Sequence, residues 1–241
     1  MNKVAILAGM VAGSLLLGTL VVMGGDMVKA PPSDPGASGV APGAIGLPWQ
    51  IEVRPDGSSR VMGLTLSATS DASTLSDVRQ HFGAEVQVAI IAAPDEPGSL
   101  EAFVDPAQAG FVSGKLVVTA RIEPAVLQGM RERAVKSDFM ESATRKYTLA
   151  PDDLRQALKA PVAALSFIPQ ARLDADAIVA RFGTPTHRVQ SNGHLEHFLY
   201  PGKGLDVILD SEGKELLQYV APAEFERLSA PLTASQPAAT P

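Results

Sequence analysis

The pattern of apolar and polar positions opens with an unbroken apolar run. Residues 4–23 carry no charged side chain, and a helix of that length would span about 30 Å, the thickness of a bilayer's hydrocarbon core. Because Lys3 is the one charged side chain before the run, the positive-inside rule predicts a cytoplasmic N-terminus and export of the rest. Residues 1–25 are therefore predicted to anchor the chain in the inner membrane. A signal peptide cleaved at residues 28–30, which would release the domain into the periplasm, remains the alternative.

Two further segments lack the large apolar residues that a core requires. Residues 26–48 are rich in proline and glycine, which predicts a flexible linker between the membrane and the folded part. Residues 231–241 have a similar composition and predict a disordered tail. The intervening stretch is long enough for one large domain or two small ones.

Four short blocks of this stretch recur in the same order. The paired blocks are residues 61–66 and 162–167, residues 75–83 and 175–183, residues 100–104 and 195–199, and Gly110 and Gly204. Since the offset drifts only from 101 to 94 positions, the pattern predicts an internal duplication. The first α/β repeat is assigned to residues 49–122 and the second to residues 161–230.

Each predicted unit contains a short amphipathic helix. Leu75, Val78 and Phe82 recur at the spacing of one helix face, and the matching block of the second unit repeats that pattern. Ser73 or Thr74 is the predicted N-cap of the first helix, and Asp174 is that of the second. Gly83 and Gly183 are predicted to end these helices in the left-handed conformation.

Alternating apolar positions then predict an antiparallel meander. In the second unit Asn192-Gly193 is a strong signal for a two-residue hairpin turn, and the following strand alternates Leu205, Val207 and Leu209 on one face. One helix on one meander leaves half of the sheet face uncovered, so two units packed together could share a core.

The predicted fold class is therefore α+β: a tandem repeat of a helix plus an antiparallel β-meander, preceded by a transmembrane or signal helix. Residues 123–160 are predicted to be a helical connector between the repeats. Pro124 and Pro151 suit the first turn of a helix, and the acidic pair after Pro151 suits the positive end of the helix dipole.

The amino-acid composition limits the kinds of partner and site that the protein can have. The chain has 26 acidic and 20 basic residues, a net charge of −6, and no basic cluster that would favour nucleic acid as a partner. It contains no cysteine, which excludes disulfides, thiolate metal sites and N-terminal lipidation of a cysteine.

Two groups are candidates for a metal site. Asp206, Asp210 and Glu212 lack the dense oxygen loop of a calcium site and predict a solvated turn; the other group is the histidines. His194 and His197 are three positions apart, so on a strand they would point to opposite faces and could not bind one ion. With the turn at Asn192-Gly193, Arg188 would face His197 and Val189 would face Glu196, which is ordinary cross-strand pairing. No metal or cofactor is predicted.

No catalytic residues are predicted either. A G-x-S-x-G nucleophile elbow is absent from the sequence, so no Ser-His-Asp triad of that kind can be assembled. A surface formed by His187, His197, Tyr200 and Tyr219 is the predicted contact site for a partner.

The helices ending in Phe-Gly carry a resemblance to a known family. Residues 77–83 (DVRQHFG) and 177–185 (AIVARFGTP), each followed by predicted strands, resemble the small α/β unit of the SmpA/OmlA (BamE) outer-membrane assembly lipoproteins. That unit occurs in tandem in the β-lactamase inhibitor protein. The resemblance covers about 60 residues per unit and implies an envelope protein that binds other proteins. The whole chain is also similar to uncharacterised proteobacterial envelope proteins, which implies a location in the envelope and no mechanism.

The sequence thus predicts a non-catalytic, membrane-tethered, extracytoplasmic protein-binding or scaffolding module of the bacterial envelope. Its working surface is expected at an open strand edge or in the groove between the repeats. The alternative is a small-ligand carrier or enzyme with a site in the cleft between the repeats, and a purely structural envelope component is a third hypothesis.

Overall fold

The computed structural model describes residues 46–140, 144–191 and 193–234. Antiparallel strands are the commonest secondary structure among these residues, and the helices are short. The strands are β1 (Glu52–Val53), β2 (Ser59–Val61), β3 (Leu64–Leu66), β4 (Gln87–Ala92), β5 (Ser99–Ala109), β6 (Val112–Ala120), β7 (Lys136–Phe139), β8 (Arg145–Thr148), β9 (Val162–Pro169), β10 (His187–Ser191), β11 (Leu195–Tyr200), β12 (Leu205–Asp210) and β13 (Leu216–Val220). The helices are α1 (Leu75–Phe82), α2 (Pro124–Glu132), α3 (Pro151–Ala157), α4 (Ala175–Phe182) and α5 (Glu226–Ala234).

The predicted fold class is wrong in its architecture. Ten strands form one continuous antiparallel sheet in the order β10-β11-β12-β13-β9-β6-β5-β4-β8-β7, and β1, β2 and β3 form a second, small sheet. The two halves of the chain join edge to edge, because β6 pairs with β9 from Gly114↔Pro169 to Ala120↔Val162. The molecule is therefore a mainly antiparallel β protein and not two α+β units packed face to face.

The opening blocks of the two halves also differ. Residues 162–167 lie in β9, at the centre of the large sheet, whereas residues 61–66 are divided between β2 and β3 of the small sheet. Met62 and Gly63 both have positive φ, at 49° and 78°, so the chain reverses there. The two blocks therefore have similar apolar patterns but lie in different sheets.

The two short helices are confirmed. The Thr74 hydroxyl accepts from the backbone N–H of Asp77, whose side chain accepts from the N–H of Thr74, which is a capping box. Asp174 caps α4 by accepting from the N–H of Ala177 at 2.7 Å. The glycines that follow have positive φ, 99° at Gly83 and 85° at Gly183, but their ψ is extended and not left-handed helical.

The connector is only partly helical. Helices α2 and α3 begin at Pro124 and Pro151, as predicted. Between them the chain forms the β7–β8 hairpin, which extends the large sheet by pairing β8 with β4. A wholly helical connector over residues 123–160 is therefore wrong, because the polar segments of the hairpin form strands only where β4 offers a free edge.

The two faces of the large sheet are covered differently. Phe198 and Tyr219 belong to the main core, together with buried residues of α1, α2, α3, α4 and the small sheet. Leu199 and Val220, their neighbours in the chain, point the other way and pack against Phe225 and Leu228. We call these two sides the core face and the α5 face. Helix α5 was not predicted, and it crosses the boundary drawn at residue 230.

Several predictions lie outside the described residues. They concern the anchor at residues 1–25, the linker as far as residue 45, Asn192 of the hairpin turn, and the tail from residue 235 onward. Within the described residues, no helix is long and apolar enough to cross a membrane.

Candidate functional site

Three of the four residues predicted to form a partner surface are buried. His187 is exposed at the start of β10, whereas His197, Tyr200 and Tyr219 lie inside the fold. The Tyr200 hydroxyl donates to the carbonyl of Gly183 at 2.9 Å. These four residues do not form one surface, because both sides of the sheet are covered in this region, one by the core and the other by α5.

Tyr219 has a structural role of its own. Its hydroxyl donates to the carbonyl of Pro48 at 2.9 Å in a buried environment. Burial raises the pKa of both the Tyr200 and the Tyr219 hydroxyl. Both tyrosines therefore remain neutral hydrogen-bond donors at physiological pH, and Tyr219 fastens the start of the described chain to the core face.

His197 instead belongs to a polar network across three strands. Its Nδ1 lies 2.8 Å from Oδ2 of Asp206 on β12, and its Nε2 lies 2.8 Å from Oγ of Ser191 on β10. With the proton on Nδ1, the ring donates to Asp206 and accepts from the Ser191 hydroxyl. The order of groups is hydroxyl, imidazole and carboxylate, as in a nucleophile activated by a base that an acid orients.

The sequence missed this network for two reasons. A nucleophile elbow is the local sequence pattern that predicts a catalytic serine, and Ser191 lies on a strand without that pattern. The register was also predicted one residue off: Val189 faces His197 and Gln190 faces Glu196. Three residues, 192–194, separate the two strands, and this shift places His197 on the same face as Ser191.

Burial strongly affects the carboxylate of the network. Asp206 is buried, and this burial raises its pKa, an effect that the hydrogen bond from His197 offsets only in part. Its Oδ1 has no hydrogen-bond partner among the described residues. A charge on Asp206 is therefore costly in the folded state.

His194 forms a separate, more exposed pair. Its Nδ1 lies 2.9 Å from Oδ1 of Asp210, and this hydrogen bond raises the pKa of His194. Burial would raise the pKa of Asp210, but hydrogen bonds from His194 and the backbone lower it overall. Among the described residues no group of three or more His, Cys, Asp or Glu side chains could hold a metal ion.

A different region of the molecule has the features of a contact surface. Val135, Phe139 and Met140, on and beside β7, are 64%, 73% and 43% exposed. We call these three residues the edge cluster. Strand β7 is the last strand of the large sheet, so the cluster borders a row of backbone groups that no other strand of the described chain pairs with.

The hydrogen-bond alternation of β7 identifies its free groups. Lys136 and Asp138 pair with Thr148 and Lys146 on β8, and the N–H of Met140 donates to Thr144 at 2.8 Å. Because inward and outward groups alternate along an antiparallel strand, the N–H and C=O of Ser137 and Phe139 face away from β8. A partner strand could bind there.

No family model, curated protein or solved structure matches this chain. The resemblance to the SmpA/OmlA unit therefore stays a prediction.

Proposed function

We propose that the protein is a non-catalytic, membrane-tethered, extracytoplasmic protein-binding or scaffolding module, and that it binds its partner through the β7 edge. The observation that carries the proposal is the edge cluster, which borders the side of β7 that no described strand pairs with. Natural proteins usually protect edge strands with charge, proline or a covering element. The β7 edge carries the charged Lys136 and Asp138 but also exposes Val135 and Phe139. These apolar side chains suit the addition of an extended strand from a partner.

In strand addition the backbone and the side chains of the edge make different contributions to binding. The free N–H and C=O groups of Ser137 and Phe139 would supply affinity that does not depend on the partner's sequence. The side chains of the edge cluster would supply selectivity, since they need apolar partners at alternate positions. The Arg145 guanidinium, 3.9 Å from the centre of the Phe139 ring, holds the aromatic side chain at the edge.

Photocrosslinking in cells tests this proposal. Met140 of the full chain is replaced by a benzoylphenylalanine residue, and adducts are compared with and without Phe139→Glu. We expect the adducts to disappear with Phe139→Glu, because a charge at the edge opposes strand addition. The matched control is Phe111→Glu, since Phe111 is 77% exposed but lies in the turn between β5 and β6. Adducts that survive Phe139→Glu contradict the proposal.

The extracytoplasmic location has its own test. The chain contains no cysteine, so a single Glu85→Cys substitution at an exposed position gives one reactive thiol. A membrane-impermeant maleimide applied to spheroplasts should label it as completely as in lysed cells. Labelling only after lysis would place the domain in the cytoplasm.

A hydrolase acting through an acyl-enzyme is the second candidate function, favoured by the geometry of Ser191, His197 and Asp206. In such a step Oγ of Ser191 attacks an ester carbonyl, its proton passes to Nε2 of His197, and Asp206 stabilises the imidazolium. The proton then passes to the leaving alkoxide, and water releases the acyl group by the reverse sequence.

A fluorophosphonate probe separates this candidate from a structural network. Covalent labelling of the full chain at Ser191, abolished by Ser191→Ala and by His197→Gln, would support the hydrolase. The absence of labelling on a folded chain rejects it and leaves a network that ties β10, β11 and β12 together.

A further inference from the structure

The sequence around β7 is complementary to a second copy of itself running in the opposite direction. Residues 135–139 read Val, Lys, Ser, Asp, Phe: apolar, cationic, small, anionic, apolar. If a second copy of this strand ran antiparallel, with Ser137 opposite Ser137, each Lys136 would face an Asp138. Each Val135 would likewise face a Phe139.

The hydrogen-bond alternation of β7 fits this register. Ser137 and Phe139 have their N–H and C=O groups on the free side, so two Ser137 residues brought opposite each other would exchange both of their hydrogen bonds. The N–H of Val135 donates to the carbonyl of Thr148 at 3.0 Å, so Val135 would meet Phe139 of the other copy through its side chain and not through its N–H. A shift by one position would offer the partner the groups of Lys136 and Asp138, which β8 already uses. A shift that set Asp138 opposite Asp138 would bring like charges together.

The side chains support the same arrangement on both faces of the sheet. Lys136 and Asp138 already form an ion pair 2.9 Å long within the strand, so the two copies would place four charges of alternating sign on one face. Phe139 lies on the other face, and both Phe139 and Val135, in the bend just before β7, are well exposed in the single chain.

We infer that the partner at the β7 edge is a second copy of this chain, joined by antiparallel β7–β7 pairing about a two-fold axis at Ser137. This inference rests on the proposed role of the β7 edge. The arrangement is isologous, since the same patch contributes from both copies, and it turns two ten-stranded sheets into one continuous sheet.

The dimer should be weak. Two short strands and their side chains bury less area than interfaces of standard size, so association should depend strongly on concentration. The tether to a membrane that we propose would raise the local concentration of a second copy relative to free solution.

A single-cysteine scan of the full chain tests the register directly. In a hydrogen-bonded antiparallel pair the opposed Cα atoms are about 5.5 Å apart, within the range that a disulfide bridges. With mild oxidation in cells, we expect Ser137→Cys to give a disulfide-linked dimer on a non-reducing gel. Lys136→Cys and Asp138→Cys should give at least about tenfold less, because neither position faces its own copy in this register. Equal yields at all three positions, or most dimer at 136 or 138, would overturn the inference.

A charge exchange tests it without cysteine. Lys136→Glu should raise the dissociation constant about tenfold, since two symmetric pairs become repulsive. Adding Asp138→Lys to the same chain should restore dimerisation, because the pairs are again of opposite sign. Both positions are exposed to solvent in the single chain, so neither variant should disturb folding. Failure of the double variant to restore dimerisation contradicts the proposed register.

The outcomes also separate this inference from the proposed function. If Ser137→Cys gives no dimer, while the crosslinks lost with Phe139→Glu contain another protein, the second copy is wrong and the role of the edge stands. If neither dimers nor such crosslinks are found, both are wrong.

Discussion

The two ends of the ten-stranded sheet present opposite surfaces. At β10 the exposed side chains are polar, Arg188 pairs with Glu196 at 2.8 Å, and its guanidinium lies 4.4 Å from the centre of the Phe198 ring. Val189, the one large apolar residue of that strand, packs against the cluster at α5. At β7 the apolar residues face solvent. Both edges carry an ion pair, Arg188 with Glu196 and Lys136 with Asp138. The difference is that the apolar residue of β10 is covered by α5, whereas those at β7 are exposed and able to contact a partner.

Because of this difference, substitutions at the two edges should affect different properties: stability at β10 and association at β7. The β10 edge is fixed by a buried polar network and an ion pair, so substitutions there should change the free energy of unfolding. The β7 edge contributes few buried side chains to the core, so substitutions there should leave folding almost unchanged and alter association.

The largest effect on stability is expected at the network. Asp206→Ala leaves Nδ1 of His197 buried without an acceptor, which should lower the free energy of unfolding by about 1–3 kcal/mol. Urea denaturation of the full chain measures it. Asp206→Asn is the matched control, because its amide oxygen can still accept from Nδ1. Equal losses for the two variants would mean that the hydrogen bond does not stabilise the β10 end.

A pH dependence should distinguish the buried carboxylate from the exposed pairs. Because the pKa of Asp206 is raised in the folded state, the folded chain binds this proton more tightly than the unfolded one. That contribution to stability is complete below the unfolded value near 3.8 and is lost as pH rises through the higher folded value. The Tm of the native chain, relative to that of Asp206→Asn, should therefore fall as pH increases across this window. A constant difference would show that Asp206 does not titrate there.

A smaller effect is expected from the surface ion pair of the β10 edge. Arg188→Ala removes the pair with Glu196 and the contact with the Phe198 ring. Exposed pairs contribute little to stability, so the free energy of unfolding should decrease by less than it does for Asp206→Ala. Calorimetry at low and high salt checks the electrostatic share. The variant should also make β10 more prone to association, which light scattering would detect.

The smallest effect on stability is expected at the β7 edge. Phe139→Ser changes an exposed side chain, so the free energy of unfolding should move by no more than about 0.5 kcal/mol. Sedimentation of the same variant should nevertheless show loss of the concentration-dependent dimer. A large loss of stability in the monomer would mean that Phe139 belongs to the fold more than to an interface.

Predictions from the sequence succeeded where a few neighbouring residues decide the structure. Thr74 with Asp77, and Asp174 alone, define the starts of α1 and α4 through bonds within the first turn. Predictions failed where a partner distant in the chain decides. The β7–β8 hairpin is an example, because its residues have no clear alternation and form strands only against β4.

The candidate sites likewise depend on partners that are distant in the chain. Tyr200 and Tyr219 suit a contact surface by residue type, but α5 and the main core cover both sides of their strands. Asp206 was interpreted with Asp210 and Glu212 as part of a solvated turn, and nothing in the sequence connects it with Ser191, 15 positions away. Only the register of β10, β11 and β12 aligns them on one face with His197.

By itself the sequence determined the capped helices, most of the strands, the absence of disulfides and the self-complementary order of residues 135–139, because each depends on residue type and short-range spacing. Tertiary structure alone decided three features: β6 joins β9 into a single sheet, the edge at β7 exposes apolar side chains while the edge at β10 does not, and three predicted surface residues are buried. Those features depend on which strands meet and what covers them. Local patterns of hydrophobicity do not encode that choice, because an alternating strand can pair with many neighbours.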